Sequence, residues 1–125
     1  MTTPRFLVVD DDAAVLKVVR LAIAHLYGED AVTAVGGGAE AVAELERGPF
    51  DFVLSDLKMP RVTGLEVARE ARRLQPDAIV VVMTGNAQEE DARAVSASGA
   101  HLLHKPFGMR ELERLIENLM ALESR

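Results

Sequence analysis

Acidic, hydroxyl and amino side chains stand directly after short strand-like runs of this 125-residue sequence. These residues are Asp10, Asp11 and Asp12 after one run, Asp56 after a second, Thr84 after a third and Lys105 after a fourth. Carboxylates in one cleft repel one another unless a cation holds them, and their hard oxygen atoms suit Mg²⁺. A metal ion with a hydroxyl and an ammonium group nearby can bind a dianionic phosphoryl group. A carboxylate beside that metal can accept the group as an aspartyl phosphate, so the residues predict Mg²⁺-dependent phosphoryl chemistry.

Asp56 is the natural candidate for the nucleophile. It follows an apolar run and precedes Leu57, and neither a helix cap nor a turn explains a charge at that point. Asp10 and Asp11 are adjacent in the sequence, which favours their interpretation as metal ligands.

Several of the other candidates have an ordinary structural explanation when each is taken alone. Asp11 or Asp12 could cap a helix, Thr84 could belong to a turn, and Lys105 could be a surface lysine. Their joint occurrence at the ends of separate runs makes this explanation poor for the set as a whole.

Continuous apolar runs predict three strands that are buried on both faces of a parallel sheet. The runs cover residues 6–9, 52–54 and 79–83, and they lack the polar alternation of a half-exposed strand. Residues 31–35 and 101–104 carry more polar or small side chains, and they are predicted to form edge or near-edge strands.

Helical periodicity fills the segments between these runs. The predicted helices cover residues 15–26, 39–45, 65–74, 88–98 and 112–119. Five strand-then-helix units predict an open, doubly wound parallel sheet with helices on both faces, since a closed barrel needs eight such units. Ligands of these sheets bind at the carboxyl ends of the strands, which places the candidate residues at one rim.

Composition excludes several classes of protein. The chain has 14 Lys plus Arg against 20 Asp plus Glu, a formal net charge of −6, which argues against nucleic acid as a main partner. The absence of cysteine excludes disulfides, thiolate metal sites and cysteine nucleophiles. The longest apolar run, residues 78–83, is shorter than the roughly 20 residues that cross a bilayer. We expect a single cytoplasmic domain, without an effector domain in the chain and without a membrane partner.

Four motifs, in this order, resemble the receiver domain of two-component response regulators. They are Phe6-Leu7-Val8-Val9-Asp10-Asp11, then Asp56-Leu57-Lys58-Met59-Pro60 with Gly64 following, then Met83-Thr84-Gly85, and finally Lys105-Pro106-Phe107. Each motif is weak alone, whereas all four at strand ends are highly specific, and the resemblance extends from residue 6 to about residue 122. It implies a flavodoxin-like three-layer α/β sandwich with five helices and five parallel strands in the order 2-1-3-4-5.

The resemblance implies a role for each residue of the site. The groups that would hold Mg²⁺ are Asp10, Asp11, Asp56 and the backbone carbonyl of Lys58. Asp56 would take a phosphoryl group from the phosphohistidine of a sensor histidine kinase or phosphotransfer protein. Thr84 and Lys105 would contact the phosphoryl oxygens, and the peptide bond before Pro106 is often cis in relatives.

The output of such a domain would be a change of surface rather than a released product. Phosphorylation would alter the face formed by the fourth helix, the fifth strand and the fifth helix. That face would control a downstream protein partner or an attached effector domain, or form a homodimer. The domain would catalyse only its own phosphorylation and a slow dephosphorylation.

The segment before Lys105 departs from the family pattern. It is one residue shorter than in relatives, counted from Gly99-Ala100 to the lysine. Leu102 occupies the switch position three residues before Lys105, where relatives usually carry Tyr or Phe. Leucine lacks the hydroxyl group and the large area of an aromatic ring, so we expect the chemistry to be retained and the route to the output face to differ.

Lys58 and Asn86 are expected to tune the lifetime of the phosphorylated state. Lys58 lies two residues after Asp56, and Asn86 lies two residues after Thr84. In the family, these positions flank the path of water to the phosphoryl group. Our hypothesis is that the Lys58 ammonium obstructs in-line water and lengthens this lifetime, and the alternative is a solvated surface lysine.

Two other functions stay open at the level of sequence. Asp10-Asp11-Asp12 satisfies the Asp-x-Asp signature of haloacid-dehalogenase-type phosphatases. However, Ala14 stands where Thr or Val is expected, no acidic pair follows Lys105, and Asp56 would have no role. The other alternative is a receiver-like module that binds a partner without phosphorylation, against which the complete set of site residues argues.

Overall fold

The computed structural model describes residues 3–85 and 88–123, so the predicted tuning residue Asn86 lies outside the described residues. The strands are β1 (Phe6–Val9), β2 (Val32–Val35), β3 (Phe52–Asp56), β4 (Ile79–Thr84) and β5 (His101–His104). The helices are α1 (Ala13–Tyr27), α2 (Gly38–Arg47), α3 (Gly64–Leu74), α4 (Glu89–Ala97) and α5 (Met109–Glu123). No helix within these described ranges has the length and apolar character that spanning a membrane requires.

The strands form one parallel sheet in the order β2-β1-β3-β4-β5, as predicted. β3 and β4 extend to Asp56 and Thr84, so both candidate residues are the last residues of their strands. β2 begins one residue later than predicted because Glu29–Ala31 form a turn of 3₁₀ helix.

Burial separates the central strands from the edges as the sequence pattern predicts. β1, β3 and β4 are buried along their whole length, whereas β2 is half-buried and β5 is largely exposed. Apolar side chains from the two faces of the sheet form two separate cores. One core packs β1, β3 and β4 against α1 and α5, and the other packs them against α2, α3 and α4. The sheet with its two covering layers is a three-layer sandwich.

The loop between β3 and α3 has a tightly defined backbone. The Val62 amide donates to the Pro60 carbonyl at 2.9 Å, and the residue between them, Arg61, has a φ of 71°. Thr63 then begins α3 with a capping box, in which its side chain accepts from the Glu66 amide. This loop therefore carries the chain from the carboxyl end of the central strand directly into a helix.

Candidate functional site

Three carboxylates meet at the carboxyl end of the sheet. Asp10 follows β1, and Asp56 ends the adjacent strand β3. Each of Asp10, Asp11 and Asp56 contributes one carboxylate oxygen to a cluster in which these oxygens all lie within 4.8 Å of one another. Asp10 is 1% exposed and Asp56 is 8% exposed, while Asp11 is exposed to solvent. The predicted acidic cluster is therefore present, with two buried members and one open member.

Lys105 is the cation that holds the two buried carboxylates. Its Nζ lies 2.9 Å from Oδ2 of Asp10 and 3.1 Å from Oδ1 of Asp56. Its backbone amide donates to the Thr84 carbonyl at 2.8 Å, and its peptide bond to Pro106 is cis, as the resemblance implies. The ion pairs join residues that are far apart in the sequence, which the surface-lysine explanation does not account for.

Burial and charge act in opposite directions on these groups. Burial raises the pKa of Asp56, and the negative charges of Asp10 and Asp11 raise it further, whereas the hydrogen bond and charge of Lys105 lower it. Burial lowers the pKa of Lys105, but its hydrogen bonds to Asp10 and Asp56 outweigh burial, so the pKa lies above its ordinary value. Lys105 therefore stays charged at neutral pH, and Asp56 lies in a pocket that favours a nearby cation.

The three adjacent aspartates of the first motif have different roles. Oδ1 of Asp10 accepts a hydrogen bond from the Asp12 amide at 2.9 Å, which orients the Asp10 carboxylate. Asp12 is the N-cap of α1, and its Oδ1 accepts from the amides of Ala14 at 2.9 Å and Val15 at 3.4 Å. The helix-cap explanation therefore holds for Asp12, whereas the Asp11 carboxylate belongs to the acidic cluster.

Thr84 lies beside the carboxylates at the end of the next strand. Asp56 pairs with Met83 in the register of β3 and β4, so Thr84 is one residue further along the neighbouring strand. Thr84 is 2% exposed, and it pairs with His104 on the other side. The sheet therefore brings the predicted hydroxyl to the same rim as the predicted acids and the predicted lysine.

The remaining predicted residues take less defined positions. Lys58 is exposed on the loop after β3. Leu102 is half-buried, pairs with Val82, and packs against the core on the side of α2, α3 and α4. The side chain at the predicted switch position therefore already points towards a core.

Gly64 is a site residue whose structural role was not apparent from the sequence. A Cβ at Gly64 would lie 2.1 Å from the backbone oxygen of Asp56, and the Gly64 amide donates to the Leu57 carbonyl at 2.8 Å. The end of β3 and the start of α3 approach each other so closely that a side chain at Gly64 does not fit. The motif contains this glycine, but a sequence does not reveal which backbone atoms face it.

The donor set at this rim fits Mg²⁺. The side-chain donors are carboxylate oxygens of Asp10, Asp11 and Asp56, and these oxygens lie within 4.8 Å of one another. Mg²⁺ prefers hard oxygen ligands and commonly binds through a few carboxylates while it keeps several waters. The exposed position of Asp11 leaves one side of the cluster open to solvent.

Comparison with known proteins identifies the family. The model of the response regulator receiver domain matches residues 6–117 of the chain. The chain belongs to this family. As a receiver domain, the protein is a module of two-component signalling, and the fold and family predictions are confirmed.

Individual relatives agree with this assignment. The receiver domain is 34% identical to the response regulator receiver protein CpdR of Brucella abortus, over 71% of this chain and 75% of CpdR. A CheY-like receiver domain protein from Methanospirillum hungatei superposes with a TM-score of 0.92 at 27% identity, over 98% of both chains. The chemotaxis response regulator CheY4 of Vibrio cholerae superposes with a TM-score of 0.84 at 27% identity, over 94% of this chain and 98% of CheY4.

Other relatives are longer proteins of which the chain covers only a part. The transcriptional regulatory protein GlrR of Escherichia coli is 33% identical over 91% of this chain and 26% of GlrR. The chain likewise spans 51% of the transcriptional regulatory protein PrrA of Mycobacterium tuberculosis, at 34% identity. Receiver domains thus occur in proteins of different length and output.

Proposed function

We propose that this receiver domain is a phosphorylatable switch in which Asp56 accepts a phosphoryl group in the presence of Mg²⁺. One observation carries the proposal: the Asp56 carboxylate lies in a cluster with Asp10 and Asp11 and is hydrogen-bonded to Lys105 at 3.1 Å. Such a cluster combines a nucleophile, metal ligands and a cation within a few ångströms. This is the equipment for transfer of a phosphoryl group to a carboxylate.

The metal would be held by this chain's own oxygen atoms. Asp10, Asp11 and Asp56 would supply carboxylate oxygens as ligands, and Lys58 would supply its backbone carbonyl oxygen. When bound, Mg²⁺ supplies positive charge that offsets the negative charge of the carboxylates and of the phosphoryl oxygens.

Asp56, Lys105 and Thr84 would each have a separate role in the phosphoryl transfer. A carboxylate oxygen of Asp56 would attack phosphorus while the bond from phosphorus to the donor nitrogen breaks and the nitrogen leaves with its electron pair. Lys105, now paired with two carboxylates, would pair with an oxygen of the incoming group, and the Thr84 hydroxyl would donate to another. Thr84 ends β4 and Lys105 follows β5, so transfer would need only local movements of these two residues.

The donor would be the phosphohistidine of a sensor histidine kinase or phosphotransfer protein in the cytoplasm. An apolar groove of about 250 Å³ opens beside the site, between α1 and the loop after β5. Its lining includes Val15 and Val18 of α1 together with Lys105, Pro106 and Phe107. Because Lys105 belongs to both the groove and the site, the groove supports a protein donor that presents its phosphoryl group from that side.

The output would be a change in the face formed by α4, β5 and α5, read by a protein partner, an attached effector domain or a second copy of the domain. Leu102 lies on β5 and packs against a core, and Thr84 pairs with the strand that carries it. A shift of Thr84 towards a phosphoryl group would therefore reach β5 through the strand pairing, without rotation of an aromatic ring.

Lys58 would set how long the phosphorylated state lasts. It is exposed on the loop after β3, two residues after Asp56, and its side chain is long and flexible. The Lys58→Ala variant is expected to lose its phosphoryl group faster than the wild type, whereas Lys17→Ala, which removes an exposed lysine of α1, should decay at the wild-type rate. Decay of radiolabel measures both, and a Lys58→Ala rate no faster than wild type would refute the role.

Turnover distinguishes the switch from a phosphatase. The protein should take up about one phosphoryl group from acetyl phosphate with Mg²⁺ and release it slowly, because the acceptor must be regenerated before another transfer. Repeated hydrolysis of added phosphoesters would instead support the haloacid-dehalogenase type. A partner affinity that is the same in wild type and Asp56→Asn would support the phosphorylation-independent module.

A further inference from the structure

Arg61 occupies a backbone conformation that suits glycine. Among the described residues other than glycine, it alone has a positive φ, at 71°. The hydrogen bond from the Val62 amide to the Pro60 carbonyl, at 2.9 Å, makes Arg61 the central residue of a γ-turn of the rare, strained type. An arginine here carries a conformational cost that glycine does not incur. Such an outlier at the rim of a reaction site points to a function of the side chain.

Close backbone contacts hold this turn next to the acceptor. A Cβ at Gly38, the first residue of α2, would lie 2.6 Å from the carbonyl oxygen of Val62. A Cβ at Gly64 would lie 2.1 Å from the carbonyl oxygen of Asp56. The segment that contains Arg61 is therefore fixed between α2 and the end of β3. Arg61 is three residues from Gly64, so its Cα lies within about 11 Å of the Gly64 Cα.

Without Mg²⁺, the charges around the acceptor oppose the approach of an anionic donor, and one bound Mg²⁺ would bring them only to neutrality. Asp10, Asp11 and Asp56 contribute three negative charges, against one positive charge from Lys105, and the whole chain carries a formal net charge of −6. Residues 57–65 contain Lys58 and Arg61 and no acidic residue, and both cations are exposed. Of the two, only Arg61 has a backbone fixed in a strained turn.

We propose that Arg61 is a specificity-determining residue that attracts phosphodonors by their net negative charge and so favours dianionic donors. The proposal rests on the phosphoryl acceptance by Asp56 proposed above. The positive charge of the guanidinium acts on the incoming donor through its electric field, without contact with the reacting atoms.

Two small donors that differ in net charge provide the probe. With acetyl phosphate, a dianion, Asp56 forms its bond to phosphorus as the bond to the acetate oxygen breaks, and acetate leaves with the electron pair. With phosphoramidate, which carries an ammonium group and one net negative charge, the phosphorus–nitrogen bond breaks and ammonia leaves. The acceptor product is the same in both reactions, so a difference between them reflects the donor.

The test compares substitutions that separate charge from conformation. Arg61→Gln removes the charge and keeps a side chain in the strained turn, Arg61→Lys keeps the charge, and Arg61→Gly removes the charge and relieves the strain. Arg69→Gln, which removes an exposed arginine of α3, is the matched control. Initial rates of phosphorylation are measured with Mg²⁺ and each donor over a range of ionic strength, and thermal unfolding is measured in parallel.

The expected effect is modest and depends on salt. The magnitude is worked for a distance of roughly 10 Å between the guanidinium and the donor phosphorus. At that distance, Arg61→Gln should slow phosphorylation by acetyl phosphate about two- to fourfold at an ionic strength of ~0.03 M, and its rate should equal the wild-type rate at ~1 M. The slowing should be smaller with phosphoramidate. Arg61→Lys and Arg69→Gln should keep the wild-type rate, and Arg61→Gly should be slowed although it unfolds at a higher temperature.

Other results would overturn either the role of Arg61 or the proposed function. An Arg61→Gln rate equal to wild type at low salt, a slowing that persists at high salt, or an equal slowing with both donors would overturn the role of Arg61 and leave the proposed function intact. A wild-type protein that takes up no phosphoryl group from either donor would refute the proposed function, and the role of Arg61 with it.

Discussion

The close contact between Gly64 and the end of β3 predicts that a single added methyl group lowers both the stability of the domain and the rate of the proposed phosphorylation. In Gly64→Ala, the new Cβ would start 2.1 Å from the Asp56 carbonyl oxygen and 2.8 Å from the Asp56 carbonyl carbon and the Leu57 Cα. Ordinary contacts between heavy atoms lie at ~3.5 Å, so α3 and the end of β3 must separate by more than about 1 Å. All three contacts are to backbone atoms. A backbone atom cannot move aside by a change of rotamer, as a side chain can.

The cost follows from overpacking and from displacement of Asp56, the proposed nucleophile. Insertion of a methyl group into a well-packed contact typically costs about 1–3 kcal/mol, which in a domain of this size lowers the melting temperature by ~4–12 °C. A displacement of about 1 Å at a reacting group costs on the order of 10²-fold in rate. We therefore expect Gly64→Ala to be phosphorylated by acetyl phosphate ~10- to 100-fold more slowly at saturating donor.

A matched substitution separates this effect from a general response to alanine. Gly36 lies on the loop after β2, and a Cβ there would meet no atom within 4 Å. Gly36→Ala should keep the wild-type melting temperature and rate, as measured by thermal unfolding and by mass spectrometry of the intact protein over time. A Gly64→Ala protein as stable and as rapidly phosphorylated as Gly36→Ala would show that this contact does not position Asp56.

Two further predictions concern the neighbouring aspartates and the single tyrosine. Asp12→Ala should lose about 1 kcal/mol of stability with little change in Mg²⁺ affinity because Asp12 caps α1, whereas Asp11→Ala should weaken Mg²⁺ binding with little loss of stability. Denaturant unfolding without metal and calorimetric Mg²⁺ titration measure the pair, and the reverse pattern would contradict it. Burial, with a further contribution from the charge of Glu117, raises the pKa of Tyr27, so tyrosinate absorbance should titrate above the usual value of about 10. Since the folded-state pKa is the higher one, the stability associated with Tyr27 is present below pH ~10 and is lost as pH rises through the folded-state pKa. The chain has one tyrosine and no tryptophan, so the signal is unambiguous, and a midpoint at or below the usual value would count against this burial.

The strand pattern and the rim residues could be predicted because they depend on local sequence and a general rule of parallel sheets. Runs without polar alternation became β1, β3 and β4, which are buried along their whole length. Asp10, Asp56, Thr84 and Lys105 then meet because the carboxyl ends of parallel strands share one edge. The resemblance supplied the strand order, which no local pattern contains.

The contacts that fix the site could not be predicted in the same way. The choice between Asp11 and Asp12 as helix cap depends on backbone dihedral angles near the start of α1, and both residues are good caps by type. The strained turn at Arg61 conflicts with the preference of arginine for negative φ, so local propensity predicts the wrong conformation there. Nor does the sequence show that Leu102 packs against a core, because β5 alternates weakly between exposed and buried residues.

Mass spectrometry of the intact protein after incubation with acetyl phosphate tests the central claim most directly. With Mg²⁺, the wild type should gain the mass of one phosphoryl group, and without a divalent cation the gain should be largely lost because three clustered carboxylates would repel the donor. Asp56→Asn should gain nothing under either condition. A wild-type protein that gains no mass with Mg²⁺, or an Asp56→Asn protein that gains as much as wild type, would contradict the assignment of Asp56 as the phosphoryl acceptor.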